Sequence, residues 1–212
     1  MDPSPAGYPR RVLVLFAHPA LERSRVNRAL AEGLPLREGI TLHDLYEAYP
    51  DLDIDVPREQ ELLVAHDVIV FHHPFFWYST PAILKEWQDL VLGHGWAYGH
   101  DGTALRGKIA LNAVTTGGRE TAYRPDGYNG HTVRRLLAPM EQTARLCGMT
   151  YLAPFVAHGT HAMTRAEMAA HSADYRRVLA ALRDDRLDVD AASSPDLDFL
   201  NADLDRLIRD TA

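Results

Sequence analysis

The chain has 212 residues, of which 46% are hydrophobic and 24% charged, a composition typical of one globular domain rather than a disordered polypeptide. Its formal net charge of −7 argues against non-specific binding to nucleic acid or to an anionic membrane. The sequence shows no apolar run long enough to span a bilayer and no signal-peptide core. The single cysteine, Cys147, cannot pair within the chain and fits a reducing, cytoplasmic compartment.

Strand-like and helix-like patterns alternate along the chain. Residues 1–10 contain three prolines and are predicted to form a flexible leader. Residues 11–184 are predicted to form one domain, and 185–212 an acidic tail that either docks on a dimer or is partly disordered. Buried strands are predicted at 12–17, 40–45, 68–71, 109–114 and 151–157. Helices are predicted at 24–34, 57–66, from Thr80-Pro81 to 91, at 133–147 and from a Thr164–Glu167 capping box onward.

This alternation predicts an α/β fold in which a doubly wound sheet of five parallel strands carries helices on both faces. Five strands suit the flavodoxin-like order 2-1-3-4-5, in which ligands bind outside the carboxyl ends of the strands. The loops after strands 1, 3 and 4 are neighbours in that order. We therefore expect these three loops to converge on one binding site.

The first of these loops runs from His18 to Asn27 and leads into a helix. The free N–H groups at a helix start favour an anion, and Ser24, His18 and Arg25 can add donors. The chain has no G-x-G-x-x-G dinucleotide fingerprint. The loop thus predicts a phosphate site, with an ordinary capped helix as the alternative.

The other two loops suit a flat ring. The aromatic run from Phe75 to Tyr78 can wall a planar ligand, although core packing or a dimer interface is an equal alternative. The run from Thr115 to Gly118 lets backbone amides approach a ligand closely, where they can stabilise negative charge. Tyr123 and His131 follow in the same connection as candidate proton-handling residues. The three loops together predict a flavin site.

Two other patterns are set aside. The segment from Gly102 to Lys108 resembles a phosphate loop but lacks the following Ser or Thr and precedes a predicted strand. The eleven histidines show neither H-E-x-x-H nor any Cys/His ligand spacing. We therefore predict no metal site.

Several ordered signatures resemble the NAD(P)H:quinone oxidoreductase family of flavodoxin-like proteins (DT-diaphorase type). Within that family, the resemblance is to the branch of ancillary subunits of glutathione-regulated potassium-efflux systems, and it runs from about Val12 to His161. The signatures are Ala17-His18-Pro19 with Ser24 and Asn27, Glu59-Gln60, His73-Pro74 through Ser79 with Pro81, Leu84 and Lys85, His94 to Gly99, and Thr115 to Gly118.

The resemblance implies a homodimer with a tightly bound flavin and with sites at the subunit interface. The mammalian enzymes carry FAD and a longer C-terminal extension that this chain lacks, and the shorter bacterial relatives use FMN, so FMN is the expected flavin and FAD stays the alternative. NAD(P)H would pass a hydride to the flavin N5, and a quinone would then enter the same pocket and accept two electrons. The implied catalytic residues are Tyr123 and His131, with Tyr128 as an alternative to His131. The implied cofactor-binding residues are His18, Ser24, Arg25, Val26, Asn27, Gln60, Phe75, Phe76, Trp77, Tyr78, Thr115, Thr116, Gly117 and Gly118.

Two other functions stay open at this stage. The resemblance also implies a regulatory subunit that docks on a membrane potassium/proton antiporter, peripheral at the inner membrane through that protein partner. A one-electron carrier of flavodoxin type is the third interpretation. The identity of the acceptor cannot be inferred, since quinones, azo dyes and nitroaromatics are all flat molecules that can stack on the same ring.

Overall fold

The computed structural model describes residues 9–34 and 37–209. Most of the predicted leader, 1–8, lies outside the described residues. Arg10 is held in place: its amide donates to the Arg183 carbonyl at 3.0 Å, and its guanidinium meets Asp185 at 2.7 Å. The ordered domain therefore begins at least as early as this residue.

A parallel sheet in the order β2-β1-β3-β4-β5 confirms the predicted flavodoxin-like α/β fold, with β6 pairing β4 beyond β5. The predicted fifth strand is interrupted: Pro154 has no N–H for the ladder, and the Ala153 amide donates instead to the Ala192 carbonyl. The described strands are β1 (Val12–Phe16), β2 (Ile40–Asp44), β3 (Val68–Pro74), β4 (Ile109–Thr115), β5 (Thr150–Tyr151) and β6 (Phe155–Ala157).

Helices cover both faces of the sheet. They are α1 (Arg25–Ala31), α2 (Leu45–Ala48), α3 (Val56–Ala65), α4 (Ala82–Val91), α5 (Val133–Leu136), α6 (Ala138–Leu146), α7 (Arg165–Arg183), α8 (Val189–Ser193) and α9 (Leu204–Leu207). The capping box of Thr164 and Glu167 on α7 is confirmed. Two expectations need correction. The helix predicted at 133–147 breaks ahead of Pro139. Thr80-Pro81 has the sequence signature of a cap followed by a proline, but the N-cap of α4 is Pro81 and no side chain caps this helix.

Two hydrophobic cores lie on opposite faces of the sheet. One is built on Val12, Val14 and Val70 against α1 and α7, and the other on Leu13 and Leu15 against α2 to α6. This two-sided burial explains the continuous apolar strand sequences. The strands are in register, so Phe16 of β1 lies beside His72 of β3. The carboxyl ends of β1, β3, β4 and β6 consequently meet at one edge.

The C-terminal segment, defined here as residues 185–209, packs on its own chain. Leu187, Ala192, Leu200 and Leu207 are fully buried in the core beside α7. The Asn201 side chain pairs with β6 in both directions, accepting from the Val156 amide at 2.8 Å and donating to its carbonyl at 2.9 Å. The described part of the predicted tail is therefore neither a free arm nor a disordered end.

Candidate functional site

The first loop is fastened to β4 by a buried network around Asn27. Its side-chain amide donates to Thr115 Oγ1 at 2.9 Å and to Ser24 Oγ at 3.0 Å. Ser24 also caps α1, accepting from the Asn27 amide at 3.3 Å. Asn27 and Thr115 are both buried. The predicted cap is thus confirmed, and the network fixes the first and third loops relative to each other.

Donors of the first loop remain available for a ligand. The amides of Arg25 and Val26, at the start of α1, have no acceptor within the helix. The ring of His18 accepts from the Ala20 amide through Nδ1 at 3.1 Å, so the proton of the neutral ring is on Nε2 and can be donated. Burial lowers the pKa of His18, partly offset by Glu22. The Arg25 guanidinium donates to the Met163 carbonyl at 2.8 Å, which holds it beside the loop after β6.

The third loop presents its backbone. Thr116 is buried and donates its amide to the Ala157 carbonyl at 2.9 Å. Among the described residues, the amides of Gly117 and Gly118 donate to no acceptor. A Cβ at Gly117 would lie 2.5 Å from His161 Nε2, and one at Gly118 would lie 3.1 Å from Tyr123 Cε2. Only glycine lets these side chains approach the backbone so closely.

The aromatic segment from Phe75 to Tyr78 is half core and half surface. Phe75 is buried and its amide donates to the Thr115 carbonyl at 2.9 Å. Trp77, by contrast, is 93% exposed, and both Trp77 and Tyr78 have positive φ angles, of 48° and 62°. Such backbone is strained for residues that carry a Cβ. The segment therefore presents apolar rings to the surroundings at a cost in stability.

A pocket of about 820 Å³ lies among these loops. Its lining comes from the ends of all four strands, so the predicted convergence holds for the described chain. Thr116, Gly118, Tyr78 and Tyr123 adjoin it without lining it: the Tyr123 ring lies 6.1 Å from that of Phe75, which in turn lies 6.3 Å from Tyr78. The lining residues are His18, Ala20, Arg23, Ser24, Arg25, Val26, Asn27, Pro74, Phe75, Phe76, Trp77, Thr115, Gly117, Thr160 and His161.

Two predicted site residues are not brought to this pocket within the chain. Gln60 lies on α3 and donates through Nε2 to the Val91 carbonyl at 3.0 Å. His131 is exposed and borders a separate cleft with Arg134 and Glu141. His131 directly precedes Thr132, the cap of α5, and its exposed side chain lines the cleft formed with that helix.

Sequence reasoning missed the loop after β6. Thr160 and His161 line the pocket, and the ring of His158 lies 5.7 Å from that of Tyr123. The signal was present, because a predicted strand ends at Ala157 and its loop belongs to the same edge of the sheet. In the sequence those histidines fit no metal-ligand spacing, and no other role is predicted for them.

Known proteins share this architecture. A family model described as a flavodoxin-like fold matches residues 10–179. The glutathione-regulated potassium-efflux system ancillary protein KefG of Shigella flexneri is 44% identical over 81% of this chain and 94% of its own length. The structure of general stress protein 14 from Treponema denticola, in complex with FMN, is 38% identical with a TM-score of 0.78, over 81% of this chain and 99% of that one.

A third comparison carries an enzyme name. The structure of an NADPH-quinone reductase from P. pentosaceus is 30% identical with a TM-score of 0.73, over 79% of this chain and 96% of that one. The chain belongs to the flavodoxin-like family. Within it, the chain groups with NADPH-quinone reductases and KefG-type ancillary proteins. No helix in the described part is both long and apolar enough to cross a membrane.

Proposed function

We propose that the protein is an FMN-dependent NAD(P)H:quinone reductase. The observation that carries the proposal is the pocket itself, in which unpaired backbone amides at one edge of the sheet face an aromatic segment. Such a pocket provides hydrogen-bond donors for a phosphate and for a polar ring edge, and an apolar wall for a ring. The FMN-bound structure at 38% identity supports the choice of cofactor.

The residues present fit FMN. The Arg25 and Val26 amides, the Ser24 hydroxyl and the His18 Nε2–H are donors suited to the phosphate end. The glycine pair has no room for a Cβ beside His161 and Tyr123, and it offers two amide donors for the polar edge of the ring. Phe75 and Phe76 supply apolar contact area for the ring. When bound, the flavin would supply hydride transfer between NAD(P)H and an acceptor.

Tyr123 is the group proposed to handle the proton. Burial raises the pKa of its phenol, and the neighbouring Tyr78 raises it further. The phenol is therefore protonated at neutral pH and can donate to the oxygen of an acceptor that has received a hydride. The O–H bond broken at Oη re-forms with a solvent proton, since Tyr123 is only partly buried.

Binding and turnover test the proposal together. We expect the protein to bind FMN more tightly than riboflavin, because riboflavin lacks the phosphate that the first loop is proposed to hold. Mass analysis of the flavin released from freshly purified protein separates FMN from FAD. Oxidation of NADPH and NADH is then followed with a quinone, an azo dye and a nitroaromatic. Failure to bind any flavin, or binding without acceptor-dependent NAD(P)H oxidation, would refute the assignment.

The dimer and the quinone pocket are also proposals. Phe76, Trp77 and Tyr78 form a run of exposed rings. Together they expose more apolar surface than a lone surface aromatic does, so they are suited to contact with a second copy of the chain or with a ligand. Light scattering with and without FMN tests the homodimer. A monomer at micromolar concentration in both states would exclude the homodimer.

A second candidate function is favoured by the 44% identity to KefG. In that case the protein is the ancillary subunit of a potassium/proton antiporter and lies in the cytoplasm, at the inner membrane through its partner. Co-purification of the two proteins that survives the Tyr123→Phe substitution would separate docking from turnover. An antiporter whose flux is unchanged by the protein, with or without quinone, would exclude the role.

A further inference from the structure

The surroundings of His158 suggest a device that the family resemblance does not assign. The residue directly follows β6, and three groups contact or face its ring: Thr116, Tyr123 and Phe199. The first belongs to the glycine loop, the second is the proposed proton donor, and the third belongs to the C-terminal segment. The family model matches residues 10–179. His158 thus connects the site to a segment that lies beyond the matched residues.

The hydrogen bonds fix the protonation of the ring. The Thr116 hydroxyl donates to the Gly118 carbonyl at 2.8 Å, and it lies 3.2 Å from His158 Nδ1. A hydroxyl has only one proton, so in the second contact Thr116 must accept and Nδ1 must donate. Neutral His158 therefore carries its proton on Nδ1 and leaves Nε2 with a lone pair. Burial lowers the pKa of His158 to about 4, so the neutral form prevails at physiological pH.

The ring is also held from two sides. The centroids of His158 and Tyr123 lie 5.7 Å apart with their planes inclined by 36°. The Phe199 ring meets His158 edge-on at 5.5 Å. Phe199 is in turn fixed by its neighbours: the Leu200 amide donates to the Pro154 carbonyl at 2.9 Å, and Asn201 pairs with Val156. The support behind the imidazole is thus attached to the strand from which His158 itself emerges.

We propose that His158 is a positioning residue of the flavin site, oriented by Thr116 and Phe199 and in turn fixing the Tyr123 ring and the glycine loop. The proposal rests on the proposed reductase function. His158 acts on the glycine loop through Thr116, whose hydroxyl stays directed at Gly118, and on Tyr123 through the contact between their rings. The Tyr123 phenol remains the group that meets the acceptor. His131, the partner that the family resemblance implied, borders a separate cleft.

The geometry around His158 can be tested by a measurement that does not depend on enzyme activity. Two-dimensional ¹⁵N–¹H spectra of imidazole nitrogens distinguish the two neutral tautomers, and loss of one signal set in His158→Asn assigns the residue. We expect the Nδ1–H tautomer at pH 7, and we expect Phe199→Ala to shift the His158 signals. An Nε2–H tautomer, or signals unmoved by Phe199→Ala, would overturn the proposal.

Kinetics test the consequence. We expect His158→Ala to lower kcat about tenfold, the effect of losing one hydrogen bond, while the Kd for FMN changes by less than about threefold because the residue does not line the pocket. His158→Asn retains a donor near the Nδ1 position and should recover part of kcat. The matched control is His100→Ala, an exposed histidine. A loss of kcat in His131→Ala but not in His158→Ala would restore the other assignment.

The two proposals fail in different ways. If the wild-type protein neither binds FMN nor oxidises NAD(P)H, the reductase function is wrong, and with it the kinetic role of His158. The tautomer and its response to Phe199→Ala are still measured in that protein and decide the positioning geometry. If the wild-type protein is active and His158→Ala is equally active, only the positioning role is refuted.

Discussion

The first loop and the aromatic segment, two sides of one pocket, differ in how far they are prepared for a ligand. The first loop is organised by buried hydrogen bonds around Asn27. The aromatic segment leaves Trp77 almost fully exposed on strained backbone. Rigid donors lower the entropy cost of binding, whereas exposed rings gain energy only when something covers them. The comparison suggests that the chain itself builds the phosphate end and that the ring end is completed by ligand or by a second copy.

The largest expected effect comes from breaking the organised side. Asn27→Ala removes both donors to Ser24 and Thr115 and leaves buried groups without partners, a cost of about 2–3 kcal/mol. When the whole of that cost is lost from the free energy of FMN binding, the Kd for FMN rises about 30- to 150-fold. Fluorescence titration of FMN measures it.

The matched control lies on the other side of the pocket. Asn129 accepts from the Tyr78 phenol at 3.1 Å in an exposed position, so Asn129→Ala should change the Kd by less than about threefold. Equal losses in the two asparagine variants would contradict the distinction between a prepared and an unprepared side.

Acid should lower the free energy of unfolding through His72 and His73, which lie on β3. Burial, together with the neighbouring His73 and His18, lowers the pKa of His72 to about 3, and burial lowers the pKa of His73 to about 4. Above pH 6.5 these rings are neutral in both states, and stability is unaffected. Below it, the unfolded chain binds protons that the folded chain excludes, so the free energy of unfolding falls by up to about 1.4 kcal/mol per pH unit per histidine, down to about pH 4.

Urea unfolding between pH 7 and pH 5 measures this dependence. Among the described residues, neither ring nitrogen of His72 has a hydrogen-bond partner, so His72→Phe should flatten the slope by up to about 1.4 kcal/mol per pH unit. A variant with the wild-type slope would show that another group causes the acid sensitivity.

A smaller effect should appear on the strained side. Trp77→Gly relieves the positive φ of 48°, so it should leave the free energy of unfolding unchanged or raise it by up to about 1 kcal/mol. The same variant removes an aromatic wall and should raise the KM for the acceptor. Denaturation and steady-state kinetics on one preparation check both. A loss of stability beyond about 1 kcal/mol would mean that Trp77 supports the fold rather than a ligand.

The smallest effect is expected at Tyr128. Its side chain is 94% exposed and contacts no ring among the described residues. Tyr128→Ala should change the free energy of unfolding by less than about 0.5 kcal/mol and leave FMN binding unaltered. A larger change in binding would favour Tyr128, the alternative to His131, as a residue of the site.

Sequence reasoning reached the fold through the buried strands, because continuous apolar runs such as Val12–Phe16 are specific to sheets covered on both faces. It also brought the loops of His18, Phe75 and Gly117 together, since strand ends define that edge. It did not find His158 or the burial of the C-terminal segment. Those depend on contacts between distant residues, such as Phe199 on His158, and no local pattern encodes such contacts.

The spacing of Tyr123 and His131 shows the same limit at one position. They are eight positions apart in the sequence, which is compatible with contact across a loop. The cap at Thr132 instead starts α5 and keeps His131 exposed. A histidine from another strand end fills the space beside Tyr123. This histidine, His158, is identified only by the three-dimensional course of the chain.

The central claim is that one pocket carries flavin-mediated two-electron transfer. The most direct test is an anaerobic titration of the FMN-loaded protein, followed by visible absorption. We expect one equivalent of NAD(P)H to bleach the flavin and one equivalent of quinone to restore it, without a one-electron-reduced species in between. A flavin that NAD(P)H does not bleach, or one that returns through a stable one-electron state, would contradict the account and favour an electron carrier.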